Sequence, residues 1–289
     1  MLALSTTWRI ALYQYPYHPS SPDLKAAHLA VIVASHLGGY SEKLHQVSVQ
    51  SVDQTAMLAE NLIQIAGIVD KTEAEMLQQC GVTYLGFPLR LPVHREDISE
   101  ESASRIIRRL DPPVFGVVIT YLADAREIAE FCASLGACIV QLHGDIAVEE
   151  LAKLKAIAPD LLIIKSLVVG LHTQDALESM LARYSNSVDA FITDTYDPAT
   201  GASGATGKIH DWSISRRLVE MSDRPVILAG GLDSDNVRRA ILQVRPAGVD
   251  SHTGVEDESG RKCREKVEIF IAEARAGFRL IVGGRKPGG

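Results

Sequence analysis

The sequence predicts a TIM (β/α)8 barrel. Three observations lead there. From about residue 60 onward, eight short β-rich runs alternate with helix-like stretches. Each run is apolar nearly throughout, as strands buried on both faces are. The alternation fills roughly 220 residues, the size of one such barrel. A doubly wound parallel sheet is the alternative, but it usually has fewer strands and a break in their order.

The runs, in order, are LIQIAG (62–67), TYLGF (83–87), VFGVVIT (114–120), CIVQLHG (138–144), LLIIKSL (161–167), DAFITDT (189–195), PVILAGG (225–231) and PAGVDSHTG (246–254). The stretches between them read as helices. AVEELAKLKAIAPD (147–160) carries apolar residues at helical spacing and stops near a proline. DSDNVRRAILQVRP (233–246) opens on Asp and Ser cap candidates and also stops at a proline. Ahead of the barrel, residues 1–60 read as an N-terminal extension, with strand candidates at 8–15 and 45–52 and a helix candidate at 22–37. Residues 61–278 are assigned to the barrel and 279–289 to a C-terminal tail rich in glycine.

Composition narrows the function. The chain has 289 residues, 46% of them hydrophobic and 22% charged, enough apolar content for a full core. Its net charge of −7 argues against sequence-independent nucleic-acid binding, which draws on a basic excess. It leaves room for a small anionic substrate, because such a site needs only local positive charge. The start of the sequence has no basic segment followed by an apolar core, and LAVIVASHLG (29–38) is too short to span a bilayer, so no membrane association is expected. The four cysteines, Cys80, Cys132, Cys138 and Cys263, form no metal-binding or redox spacing, which fits a reducing cytoplasm. No cofactor and no metal are expected, and a homodimer is left open.

In a barrel, functional groups stand at the C-terminal ends of strands and in the loops behind them. Asp194 ends the sixth run, and a Gly-rich stretch reaching Lys208, His210 and Asp211 follows it. Gly230 and Gly231 end the seventh run, and Thr253 and Gly254 the eighth. Paired glycine turns at these two strands are the usual barrel site for a phosphate, held by backbone N–H groups and a helix N-terminus. Lys165, in the fifth run, is expected at the mouth, where a Schiff-base role is conceivable.

Several motifs, QLHGD (141–145), DTYDP with GATGKIHDW (194–212), LAGGLDSDNV (228–237) and VDSHTGVEDESGRK (249–262), resemble in order and spacing those of the phosphoribosylanthranilate isomerase family. The resemblance runs from about Leu62 to about Ala276. It implies a barrel of the ribulose-phosphate-binding kind and an aldose–ketose isomerase of tryptophan biosynthesis. It also implies an Amadori rearrangement of an N-linked phosphoribosyl amine. Asp194 matches the family's general acid, and the loop behind it the flap that closes on substrate.

The chain departs from the family pattern at the base. The family reads Lys-Ile-Cys-Gly on its first strand, with the cysteine as base. This chain reads Gln64-Ile65-Ala66-Gly67, and Ala66 has no proton-accepting atom. The second loop, GFPLRLPVHREDIS (86–99), offers Arg90 and Arg95 for the substrate carboxylate and His94 as a titratable group. Cys263 replaces a family aspartate.

Three readings follow. The chain is an isomerase using His94 or His143 as base; or it performs another reaction on a phosphoribosyl ligand; or it binds a sugar phosphate without turnover.

Overall fold

The computed structural model describes residues 58, 61–92, 96–199, 202–203 and 206–283. The elements expected within residues 1–57 lie outside these, as do His94, Arg95 and residues 284–289.

Eight parallel strands form the barrel: β1 (Leu62–Ala66), β2 (Tyr84–Pro88), β3 (Phe115–Thr120), β4 (Ile139–Leu142), β5 (Leu162–Val169), β6 (Ala190–Asp197), β7 (Val226–Leu228) and β8 (Gly248–Ser251). Each pairs with the next, and β8 pairs with β1, so the sheet closes. A two-residue strand, Ala202–Ser203, folds back antiparallel on the end of β6. The eight runs read from the sequence are the eight barrel strands. Closure leaves none of the eight barrel strands at an edge.

The helices are α1 (Lys71–Cys80), α2 (Glu100–Ile107), α3 (Ala125–Leu135), α4 (Val148–Ile157), α5 (Gln174–Tyr184), α6 (Trp212–Met221), α7 (Val237–Val244) and α8 (Arg264–Gly283). The starts of α1, α2, α3, α5 and α6 are set by side chains that accept otherwise unpaired backbone N–H groups. Asp70 accepts from Glu73 at 2.8 Å, and Asp124 from Glu127 at 2.9 Å. Both α1 and α3 stop at a glycine in the left-handed region, Gly81 and Gly136. The helix read from 233–246 begins only at Val237, because Asp233 first closes a turn by accepting from Asp235 and Asn236, each at 2.9 Å. The last helix continues to Gly283, beyond the boundary expected at residue 278.

The core divides into two shells. Side chains such as Ile63, Leu85, Val140, Ile163 and Phe191 point outward and pack under the helices. A second cluster, with Leu62, Tyr84, Val117, Ile139, Leu162 and Ile192, fills the barrel interior, and Leu58 joins it. Because side chains alternate along a strand, the inward set continues upward through Gln64 and Ala66 on β1, Ser166 on β5, Asp194 on β6 and Asp250 on β8. That alternation corrects the expectation for Lys165. It belongs to the outward set, where its ammonium donates to the backbone carbonyls of Ser166 at 2.9 Å and Leu142 at 3.3 Å. Burial pushes it down to about 8, against the pull of Asp145. It does not face the mouth.

Gly86 stands inside the barrel in register with Ala66, and a Cβ there would lie 2.9 Å from Ala66 Cα and Cβ. A Gly86→Ala chain should therefore unfold at lower denaturant, with a loss of about 1–3 kcal/mol from overpacking. An unchanged midpoint would show that β1 and β2 can part at no cost.

Candidate active site

The C-terminal mouth gathers polar side chains above an apolar floor. A chain of hydrogen bonds crosses it. Gln64 donates from Nε2 to Gln141 Oε1 at 3.1 Å, and Gln141 donates to Ser166 Oγ at 3.3 Å. His143 Nδ1 meets the same hydroxyl at 3.0 Å, while its ring stands edge-on to Tyr121. These links fix side chains from β1, β4 and β5 against one another.

Asp194 lies near the end of β6, and its Oδ1 accepts from the N–H of Thr195 at 2.7 Å. Burial pushes its carboxyl up, while the neighbouring His143 and the Thr195 N–H pull it down. Asp250, from β8, is in register with Gln64 and only 9% exposed. Burial comes first among the influences that push it up to about 7, and the negative charge of Asp194 adds to it; Gln64 and Lys262 act the other way. Its Oδ1 and the Oε1 of Gln64 have no hydrogen-bond partner among the described residues.

The glycine turns after β7 and β8 do meet. Gly230 and Gly231 both adopt left-handed φ, 99° and 66°. A Cβ on Gly230 would lie 2.1 Å from Thr195 Oγ1, and one on Gly231 2.5 Å from the Lys208 carbonyl. On Gly254 it would lie 2.0 Å from the Leu232 carbonyl oxygen. These glycines are thus required first by the packing of the turns on each other and on residues 206–210. A short 3-10 helix, Thr253–Val255, begins where β8 ends. Its turn is strapped down by Lys262, whose fully buried side chain donates to the His252 carbonyl at 3.1 Å and pairs with Glu256. The backbone N–H of Lys262 in turn donates to buried Glu73 of α1 at 2.8 Å.

His210 is not a solvated loop residue. Its Nδ1 meets Thr195 Oγ1 at 2.8 Å and its Nε2 meets Ser215 Oγ at 2.6 Å, which ties the end of the Gly-rich stretch to β6 and α6. Asp211 caps α6 by accepting from Ser213 at 2.9 Å. His252 stands over β1, with its Nε2 where a Cβ of Gly67 would be, 2.0 Å from that position.

Of the residues singled out from the sequence, Asp194 and His143 come together, and Gly230, Gly231, Thr253 and Gly254 form one cluster. Arg90 is elsewhere. Its backbone is left-handed at φ 54° and its guanidinium is engaged by Glu100 at 2.8 Å and Glu127 at 3.3 Å, over the ring of Phe131. These partners hold it against the first turns of α2 and α3. Cys138 is exposed just before β4, at the far end of the barrel, and Cys132 is buried in α3 with its thiol pushed up to about 12 by burial. Sequence reasoning passed over Gln64, Gln141 and Asp250 as a group. Their signal is a polar residue in the middle of an otherwise apolar strand.

Residues 63–273 match the family described as N-(5'phosphoribosyl)anthranilate (PRA) isomerase. The chain belongs to this family. It is 38% identical over 221 residues to N-(5'-phosphoribosyl)anthranilate isomerase 2 of Methanosarcina mazei, an alignment covering 75% of this chain and 95% of that one. To the isomerase of Haloferax volcanii it is 33% identical, over 74% of this chain and 92% of the relative. Among solved structures, phosphoribosyl anthranilate isomerase from Thermotoga maritima superposes with a TM-score of 0.64 at 31% identity, covering 75% of this chain and 99% of that one. A further isomerase structure, in complex with reduced 1-(o-carboxyphenylamino)-1-deoxyribulose 5-phosphate, gives 0.62 at 29% identity, with 75% and 99% covered. The family shares the barrel found here. Among the described residues no helix is long and apolar enough to cross a membrane.

Burial holds His210 down at about 4, below its unfolded value, with Asp211 pulling weakly upward. Between these values the unfolded chain binds the extra proton, so stability falls as pH drops from about 6.5 towards 4. Thermal melts across that range should show a declining Tm, and His210→Asn should flatten the decline. Parallel pH profiles for the two chains would show that the buried imidazole contributes nothing.

Proposed function

We propose that the chain is a phosphoribosylanthranilate isomerase. It converts an N-linked phosphoribosyl amine to the 1-amino-1-deoxyribulose 5-phosphate, with Asp194 as general acid. The observation that carries the reading is the family match over the whole barrel, with a partly desolvated carboxyl at the end of β6 among the mouth residues. In this reading Asp194 protonates the furanose ring oxygen as the C1–O bond breaks. Burial favours the protonated form such an acid needs. The phosphate sits in the cup formed by Gly230, Gly231, Thr253 and Gly254, against backbone N–H groups and the start of the 3-10 helix. Residues after Asp197 close over the substrate, hinged at one end by His210. The Thermotoga maritima isomerase, solved as monomers generated from it, is described as dimeric, and a homodimer is proposed here as well. The setting is cytoplasmic, as suits a biosynthetic step on a phosphorylated metabolite.

The direct test is to supply freshly generated phosphoribosylanthranilate and follow the loss of its anthranilate-type fluorescence. The wild-type chain should turn it over, and Asp194→Asn should lower kcat by roughly 100-fold or more. Equal rates for the two chains would remove Asp194 from the acid's role. No turnover by the wild type would remove the isomerase reading itself.

A further inference from the structure

We propose that Asp250 is the proton acceptor of the isomerisation, oriented by Gln64 and paired in its work with Asp194. The assignment rests on the isomerase reading and supplies its second half. Moving a hydrogen from C2 to C1 of the sugar needs a group that takes a proton from carbon, as well as an acid at the ring oxygen. Ala66, at the end of β1, offers none.

Among the described residues, the three histidines at the mouth are engaged. His210 uses both ring nitrogens, on Thr195 and Ser215. His143 is bonded through Nδ1 to Ser166 and stands against Tyr121. His252 is buried over Gly67 beside the Lys262 ammonium, which together with burial keeps it from taking up a proton. Asp194 is already given to the ring oxygen.

Asp250 differs from all of these. It points inward from β8 directly opposite Gln64 of β1. The Gln64 amide is held in place through Gln141 and Ser166. Asp250 Oδ1 and Gln64 Oε1 are both buried acceptors without a hydrogen-bond partner among the described residues. Buried acceptors seldom stay unpaired, because each lost hydrogen bond leaves its desolvation unrecovered. A proton on Asp250, donated towards Gln64, satisfies both. The pair is therefore a place where a proton can be held, as an acceptor for substrate carbon needs.

The charged environment agrees. Burial and Asp194 favour the protonated form, and only the neutral Gln64 amide and Lys262 oppose it. Buried Tyr84 of β2 is itself pushed up to about 12 and stays neutral, and the inward residues of β7, Ile227 and Ala229, carry no charge.

The steps balance. After Asp194 has opened the ring, the electrons of the C2–H bond form C1=C2, and those of the C1=N bond move onto nitrogen. The C2 proton goes to the Asp250 carboxylate. Asp250 then returns it to C1 as the C2 hydroxyl loses its proton to the Asp194 carboxylate and becomes the ketone. Both carboxyl groups end as they began.

The test compares kcat against pH for the full-length wild type, Asp250→Asn and Gln64→Lys. The wild type should lose activity as pH falls through about 7, where Asp250 becomes protonated. Asp250→Asn should lose kcat by roughly 100-fold or more with KM little changed. Gln64→Lys places a cation beside the carboxylate and should move the acidic limb down by about one pH unit or more. That shift is not expected of a residue that only supports the fold. It also keeps the test alive should Asp250→Asn fail to fold, which thermal melts with inorganic phosphate would reveal. An active wild type with an equally active Asp250→Asn overturns the assignment, as does a limb unmoved in Gln64→Lys. A wild type that converts nothing overturns the isomerase reading and this assignment together.

Discussion

Two carboxyl groups share the barrel mouth, Asp250 buried and Asp194 partly so, with the buried amine of Lys262 acting on Asp250. Most of the mouth's arrangement follows from that constraint. Like charges in a low-dielectric site cannot both ionise freely, so their proton affinities rise and separate. The polar chain from Gln64 through Gln141 to Ser166 gives the site neutral amide and hydroxyl partners, and among these neighbours only His143 draws Asp194 down by its charge. The apolar floor of Leu62, Ile139 and Ile192 keeps water from relieving the repulsion from below. A site so built favours moving protons over holding a fixed charge.

The turns above it are held independently of any ligand. Gly230, Gly231 and Gly254 let the β7 and β8 turns approach one another and the 206–210 segment within distances that a side chain would block. Asn236 donates to the Gly231 carbonyl at 2.9 Å, and Ser251 donates to that of Leu232 at 2.7 Å. Lys262 and Glu73 anchor the same region to α1. These turns are ordered in advance, so the phosphate proposed to bind there would cost little further ordering.

The barrel was legible because each strand is apolar on both faces and each helix is bounded by caps or proline. The same feature hid the orientation of individual side chains. In a run such as LLIIKSL both parities are buried, so the pattern does not say that Lys165 points out and Ser166 points in. Asp194 and the glycine turns stood out because strand ends and glycine pairs are local signals. Asp250 did not, because its meaning depends on Gln64, nearly two hundred residues earlier, which becomes its neighbour only when β8 closes on β1. Arg90 read as a loop residue for the substrate carboxylate. Glu100 and Glu127 engage it only after α2 and α3 have formed.

The coupling of the two carboxyl groups is the central claim, and carboxyl-carbon NMR on aspartate-labelled protein measures it without substrate. The wild type should show one aspartate titrating near pH 7, and its midpoint should fall when Asp194→Asn removes the neighbouring charge. If every aspartate titrates below about pH 5 in both chains, an ordinary carboxylate range, the two groups do not interact and the account of the mouth is wrong.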